Sequence, residues 1–329
     1  MRRWTLATLL VGLAACGGQR GLRLSLLNAS SQRPSNIAVY FTVEKADGMP
    51  VAGLAADKFR IYEDGQPVSQ LESKQTILNP EVAAAHHLLL LIDMSGSVSE
   101  SDDVGVIVDS ARQFGARVQK YQKVAVYAFD GSKEIHRVVG FTAGPQEAIE
   151  SLSGFKPKDP STNLNGAVVE ALAVLRAQMR SSSLPLTFGT LVVFTDGTDR
   201  AHRVPKTKLH EELALAEVDV MVIGVGNELD EAELRAIGKD GAILTKDRAQ
   251  IASAFEQAAA RVEAFSRRYY LLGYCSPARA GAHEVRIETI VDGDAGALGY
   301  QFNAAGFGPE CDPTRKPSFN LKRPKVVNR

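Results

Sequence analysis

Apolar positions change their period twice along this chain. In the opening stretch they alternate: LRLSLL (22–27), IAVYFTVE (37–44) and FRIYED (59–64) read as strands. Within AVYFTVE, Val39, Phe41 and Val43 fall on one face and Tyr40, Thr42 and Glu44 on the other. Asp47-Gly48 and Asp64-Gly65 supply turn dipeptides between these strands. This β unit, residues 22–80, is too short to hold much core alone.

From about residue 85 strands alternate with helices. HLLLLID (87–93) is a continuous apolar strand, the pattern expected when both faces are covered. The segment 99–119 predicts a helix with Val104, Ile107, Val108, Ala111, Phe114 and Val118 on one stripe. KVAVYAFDG (123–131) and IHRVVGF (135–141) read as a hairpin, and 163–179 as a helix presenting Leu164, Ala167, Val168, Ala171, Leu172 and Leu175. The strand TLVVFTDG (190–197), a helix at 206–217, the strand VDVMVIGVG (218–226), a helix near 230–238, the strand AILTK (242–246) and a helix at 249–265 complete the series. The fold class is therefore α/β, with a doubly wound, mostly parallel sheet over residues 85–265.

After Phe265 strand character returns in RRYYLLGYC (267–275) and HEVRIETIV (283–291), with no helices to cover them. We expect residues 266–310 to complete the first β unit as a small antiparallel β-sandwich, with the α/β domain inserted between its halves. Residues 311–329, rich in Pro, Lys and Arg, read as a solvated basic tail.

Charge adds little to this picture. Lys plus Arg equals Asp plus Glu, 38 against 38, so no net field favours nucleic acid. The first residues add more. Met1-Arg2-Arg3 precedes an apolar stretch, WTLATLLVGLAA, too short for a stable membrane span. Its end, Leu13-Ala14-Ala15-Cys16, resembles the lipobox of bacterial lipoproteins. That resemblance implies removal of residues 1–15, acylation of Cys16 (palmitate among the chains) and a lipidated tether at 16–21. The alternatives are a plain secretory peptide or a short anchor; the small residues around Cys16 favour the lipobox. With Cys16 set aside, Cys275 and Cys311 form an even pair, which in an exported protein suggests a disulfide rather than two free thiols. Such a bridge is worth roughly 4 kcal/mol in the chain-entropy model.

Three strand-end segments carry oxygen-bearing side chains: Asp93-x-Ser95-x-Ser97, Thr162 in the loop DPSTNLNG, and Asp196 in FTDGTD. In a doubly wound sheet these ends meet on one edge. Together, and in this order, they resemble the von Willebrand factor A domain, whose metal-ion-dependent adhesion site uses these five positions. The resemblance covers about residues 85–264. It implies a bound Mg2+, with Mn2+ or Ca2+ as alternatives, held by Asp93, Ser95, Ser97, Thr162 and Asp196. Hydroxyls and carboxylates suit such a hard cation, and a partner's carboxylate would fill its remaining position. Gly96 and Gly197 would let the backbone turn near the ion. The stretches 43–68 and 269–277 also look like flanks of such domains in exported bacterial proteins.

Each residue alone has a blander role: Ser95 or Ser97 as a turn or helix cap, Thr162 as a cap, Asp196-Gly197 as a turn. A serine hydrolase is the enzymatic rival. However, D-M-S-G-S lacks the nucleophile elbow, and His86, His87, His136, His202, His210 and His283 show neither triad nor ligand spacing. The expectation is a non-enzymatic, lipid-anchored protein of the bacterial envelope, periplasmic or surface-exposed. It would bind a protein partner through an acidic group, in adhesion or assembly. The runner-up is an accessory subunit of a metal-dependent enzyme or secretion complex.

Overall fold

The computed structural model describes residues 21–319; residues 1–20, with the expected leader and Cys16, and residues 320–329 lie outside them. The chain opens on strands β1 (Leu22–Gln32), β2 (Asn36–Lys45), β3 (Phe59–Glu63), the two-residue β4 (Gln66–Pro67) and β5 (Thr76–Leu78). Next come β6 (Ala84–Asp93), α1 (Gly96–Ser99), α2 (Val104–Val118), β7 (Lys123–Phe129), β8 (His136–Thr142), α3 (Gln146–Ile149) and α4 (Leu164–Arg180). The α/β series ends with β9 (Leu186–Thr195), α5 (Lys206–Ala214), β10 (Asp219–Val225), α6 (Glu231–Ile237), β11 (Gly241–Thr245) and α7 (Ile251–Ser266). Three strands follow: β12 (Tyr269–Cys275), β13 (Ala282–Val291) and β14 (Asp294–Asn303).

Six strands form one sheet in the order β11-β10-β9-β6-β7-β8, parallel throughout except for the β7–β8 pair. The unbroken apolar run in β6 follows from its central place. Leu88, Leu90 and Ile92 join one core with α2 and α7, while Leu89 and Leu91 join the other with α4 and α5. Because β6 pairs with β7 on one side and β9 on the other, its connections leave in opposite directions. A crevice results at the carboxyl end of β6, where ligands bind in such sheets.

The flanking strands make two four-stranded antiparallel sheets, β1-β2-β12-β5 and β14-β13-β3-β4. Strands from before and after the α/β segment interleave, since β12 pairs with β2 and β13 with β3. Val39, Phe41 and Val43 meet Phe59, Ile61, Leu272, Tyr274, Val285 and Ile287 in a shared core. The other face of β2 is buried too. Tyr40, wholly inaccessible, stacks on Phe188 at 5.9 Å and meets Tyr269 and Phe319, so this sheet packs beneath the α/β unit. His86 lies at the same junction, 5.0 Å from the Phe188 ring and 4.9 Å from that of Tyr269. Arg268, between α7 and β12, binds Asp219 at 3.0 Å and Glu44 at 3.4 Å. It thereby ties together one strand of each unit.

Three sequence expectations change here. The single helix at 99–119 is broken into α1 and α2. Between them Ser101 donates its hydroxyl to Val98 O and accepts from Asp103 N, the side-chain competition that interrupts helices. The strand β14 was not foreseen, although Leu298, Tyr300 and Phe302 alternate into the core. The described part of the expected solvated tail instead packs on the protein: Ser30 Oγ donates to Ser318 O at 2.7 Å, and Phe319 is 9% exposed. Cys275 and Cys311 are bonded, with Cα atoms 5.7 Å apart, joining β12 to the segment after β14. Among the described residues no helix is long and apolar enough to cross a membrane.

Candidate metal centre at the carboxyl edge

Asp93 ends β6 with its side chain fully inaccessible. Its Oδ1 accepts from Ser95 N at 3.0 Å and its Oδ2 from Thr195 Oγ1 at 2.7 Å. Burial, and then the charge of Asp196, push the Asp93 carboxyl up to about 7. Ser95 is buried and Ser97 exposed, with hydroxyls 3.3 Å apart. Ser97 Oγ in turn donates to Asp196 Oδ1 at 3.0 Å. A continuous chain of polar contacts thus runs from Asp93 to Asp196 and opens to solvent at Ser97.

Thr162 is 4% exposed and enters through its backbone. Its carbonyl accepts from Arg200 N at 2.8 Å and Ala201 N at 2.9 Å, drawing the loop before α4 onto the loop after β9. Gly96 N donates to Pro160 O at 2.9 Å, which ties the same loop to the turn after β6. These bonds bring the three segments onto one edge.

The side-chain capping roles are not taken. Ser95 precedes α1 and Asn163 precedes α4, and neither helix start has a side-chain capping bond. Gly96 is needed, because a Cβ there would stand 3.0 Å from Pro160 Cβ. Gly197 is not, since a Cβ there would meet open space. The glycine that matters beside Asp196 is Gly226, at φ +133°, where an added Cβ would sit 3.1 Å from Asp196 O.

Sequence reading missed Thr195 and Arg248. The Thr195 hydroxyl is buried against Asp93, and its signal was its place just before Asp196 at the end of an apolar run. Arg248 had no signal. Its guanidinium reaches Asp196 Oδ2 and Asp103 Oδ2, each at 2.9 Å, across a long separation in sequence.

The donor chemistry fits a hard divalent cation. Every side-chain donor is a hydroxyl or carboxylate oxygen, with neither imidazole nor thiolate among them. Among the described residues no cluster of three or more His, Cys, Asp or Glu is placed to hold a metal, so the hydroxyls are essential to the fit. The Asp93 and Asp196 carboxylates share one polar network, and Arg248 neutralises Asp196 without a hydrogen bond to Asp93. A cation between them would relieve the buried charge.

At this edge the Ser97 hydroxyl is bonded to Asp196 and the Ser95 hydroxyl lies against Ser97. Among the described hydrogen bonds, none joins Ser95 or Ser97 to a histidine. Ser132, His136 and Asp130 do cluster nearby, but His136 Nε2 faces both Ser132 Oγ, at 3.2 Å, and Asp130 Oδ1, at 3.4 Å. A triad needs the acid on the opposite ring nitrogen from the nucleophile. Asp130 also accepts from the backbone N–H groups of Ser132 and Lys158, the role of a loop brace.

Residues 88–198 match the family model of the von Willebrand factor type A domain. The matched segment starts in β6 and closes just after Asp196, so it contains all five expected positions. No curated protein matches the chain. Among solved structures, the chain is similar to a von Willebrand factor type A protein from Catenulispora acidiphila, at 12% identity over 88% of this chain and 75% of that one, with a TM-score of 0.44. It is also similar to the von Willebrand domain of the type V pilus tip protein Mfa5 from Porphyromonas gingivalis, at 14% identity over 56% and 97%, TM-score 0.41. A third is proximal thread matrix protein 1 from the mussel byssus with a zinc-occupied MIDAS motif, at 13% identity over 60% and 49%, TM-score 0.43.

Proposed function

We propose that this protein is a membrane-anchored binding module of the bacterial envelope that captures an acidic group of a protein partner through a divalent metal ion. The observation that carries the reading is the continuous network from buried Asp93 through Ser95 and Ser97 to Asp196 at the switch point of the sheet. In this proposal Asp93 and Asp196 hold the ion with carboxylate oxygens, directly or through water, and Ser95, Ser97 and Thr162 hold it with hydroxyls. The bound ion supplies a Lewis-acidic position for a carboxylate oxygen from the partner's Asp or Glu. Where the two carboxylates act through water, the direct protein ligands are neutral hydroxyls and the ion keeps more of its charge for the partner's carboxylate. The exposed side of Ser97 is the approach. Mg2+ is the first choice, with Mn2+ or Ca2+ in its place.

The direction of presentation supports the same reading. The sandwich packs near Ala84 and His86 at the amino end of β6, whereas Asp93 lies at the other end. At about 3.3 Å per residue the strand separates them by roughly 30 Å. A lipid on Cys16, just before the first sandwich strand, would leave the metal edge facing away from the membrane. No hydrolytic role is included in this proposal, because among the described hydrogen bonds none joins Ser95 or Ser97 to a histidine.

The test is capture of partners from envelope extract by the purified protein, with Mg2+ and with chelator. Capture should depend on Mg2+ and be lost in Asp93→Ala while circular dichroism stays native. Capture that persists in Asp93→Ala, or with chelator, refutes the metal mechanism. Separately, Cys16→Ser should move the protein from the membrane to the soluble fraction; continued sedimentation with membranes refutes the lipid anchor.

A further inference from the structure

A cavity of about 500 Å3 opens beside the metal edge, between the turn after Asp196, the start of α4 and the helices α5 and α6. That volume is within the range of small-ligand sites. Leu164, Val204, Pro205 and Leu234 give it apolar walls, and its polar lining includes two buried side chains, Asn165 and Asp199.

Both polar residues are buried with one acceptor left over. The Asp199 side chain is 5% exposed; its Oδ1 accepts from Asn165 N at 3.1 Å, while its Oδ2 has no hydrogen-bond partner. Asn165 is 2% exposed and donates Nδ2 to Val204 O at 3.1 Å. That bond fixes the amide orientation, so the atom without a partner is the acceptor Oδ1. Buried acceptors without donors are disfavoured, and a charged one more so.

Lys206 is engaged elsewhere, and His202 can act as a cation toward Asp199 only when protonated. Lys206 lies between Asp230, at 3.3 Å, and Glu233, at 3.2 Å. His202 Nδ1 stands 3.4 Å from Asp199 Oδ2 without a hydrogen bond to it, and its side chain is 81% exposed. The lining therefore asks for a donor that carries positive charge. An anion would meet Asp199, Asp230 and Glu233. A bare metal ion would find two free protein oxygens in a space far larger than itself. An alkyl stem would be at home on the four apolar side chains.

We propose that this cavity is a binding subsite for the guanidinium or ammonium head of a partner's Arg or Lys side chain, with Asp199 Oδ2 and Asn165 Oδ1 as acceptors. The subsite extends the proposed binding function without resting on the metal. A partner would be read as a basic side chain in the cavity beside an acidic one at the edge.

The probe is n-butylguanidinium, titrated into the isotopically labelled full chain and followed at the amides of Asn165, Thr198 and Asp199 by NMR. Saturable shifts are expected, unchanged by chelator, with n-butylurea producing none. Asp199→Asn keeps an oxygen for Asn165 N and removes the charge. It should weaken the probe at least about tenfold, equivalent to about 1.4 kcal/mol. Val204→Trp, which fills the cavity from its wall, should abolish the shifts and decides the matter if Asp199→Asn fails to fold. Absence of saturable shifts, equal binding of n-butylurea, or undiminished affinity in the folded variants overturns the proposal. Mg2+ titrated into the same samples reports the metal edge separately: loss of that response alone sinks the metal reading and leaves the subsite standing.

Discussion

Replacing Arg248 with alanine should tighten divalent-metal binding. The guanidinium lies on Asp196 Oδ2 and Asp103 Oδ2, so it occupies part of the charge that a cation at this edge would use. Two effects act in the same direction when it is removed. Asp196 Oδ2 is freed from a charge-assisted hydrogen bond, and a positive charge next to the ion is lost. The pair is only partly desolvated: the Asp196 side chain is 6% exposed, but that of Arg248 is 42% exposed. Solvent screening therefore holds the gain to about 1 kcal/mol, nearer a surface pair than a buried one. That corresponds to a Mg2+ affinity about fivefold higher in Arg248→Ala.

Isothermal titration calorimetry with MgCl2 measures this directly, and repeating it at high salt should shrink the difference between the two proteins. Affinity that is equal or weaker in Arg248→Ala refutes the reasoning, because Arg248 would then support the site rather than compete for it. The position of Arg248 adds a second readout. It stands in the short turn that leads into α7, and α7 packs on Phe114 of α2 and Phe194 of β9 through Phe255. If Mg2+ displaces the guanidinium, amide exchange at residues 248–251 should speed up on metal addition in the wild type. In Arg248→Ala it should already be fast and should not respond.

Stability gives four further outcomes. Reducing the Cys275–Cys311 bridge, which spans a sequence separation of 36, should cost roughly 4 kcal/mol in urea unfolding; an unmoved midpoint refutes this. Arg268→Ala leaves Asp219 and Glu44 facing each other across the junction and should cost about 3–5 kcal/mol; a loss below about 1 kcal/mol would show that the hub is solvated. Burial, followed by the charges of His87 and Arg268, holds the His86 imidazole down to about 4. The unfolded chain therefore takes up a proton between about pH 6.5 and 4 that the folded one refuses, and stability falls as pH drops through that window, by up to about 3 kcal/mol; His86→Phe should flatten this fall, and an identical profile refutes the assignment. Residues 80–265 should fold cooperatively alone while 17–80 should not, and an independently folded 17–80 fragment would sink the inserted-domain reading.

What could be read from the sequence was whatever local pattern encodes. The run HLLLLI could belong only to a strand covered on both sides, and its alternate residues do enter two different cores. That Asp93 and Asp196 would meet at one edge was legible because parallel strands deliver their carboxyl ends there, while the full set with Ser95, Ser97 and Thr162 came from the family resemblance. Features that depend on distant segments left little trace. Tyr40 sits on the second face of a strand with good alternation, yet that face is closed by Phe188 and Tyr269. Arg248 is an ordinary residue in DRAQ until the fold carries it to Asp196.

Asp199 lies between these cases. It stands within the segment FTDGTD that also supplies Asp196, three positions along, and its type alone does not distinguish a turn residue from a buried acceptor. Its Oδ1 bond to Asn165 N at the start of α4 and the unpartnered Oδ2 beside a cavity make that distinction. The physical reason is general for this edge. The turn after β9 is held down by Thr162 O, and its two aspartates part to different sides, one toward Ser97 and Arg248 and the other toward α4. Asp196 goes to the first and Asp199 to the second. In the proposed reading the edge carries two recognition features of opposite charge preference on one short loop, and substitution of each aspartate tests one of them.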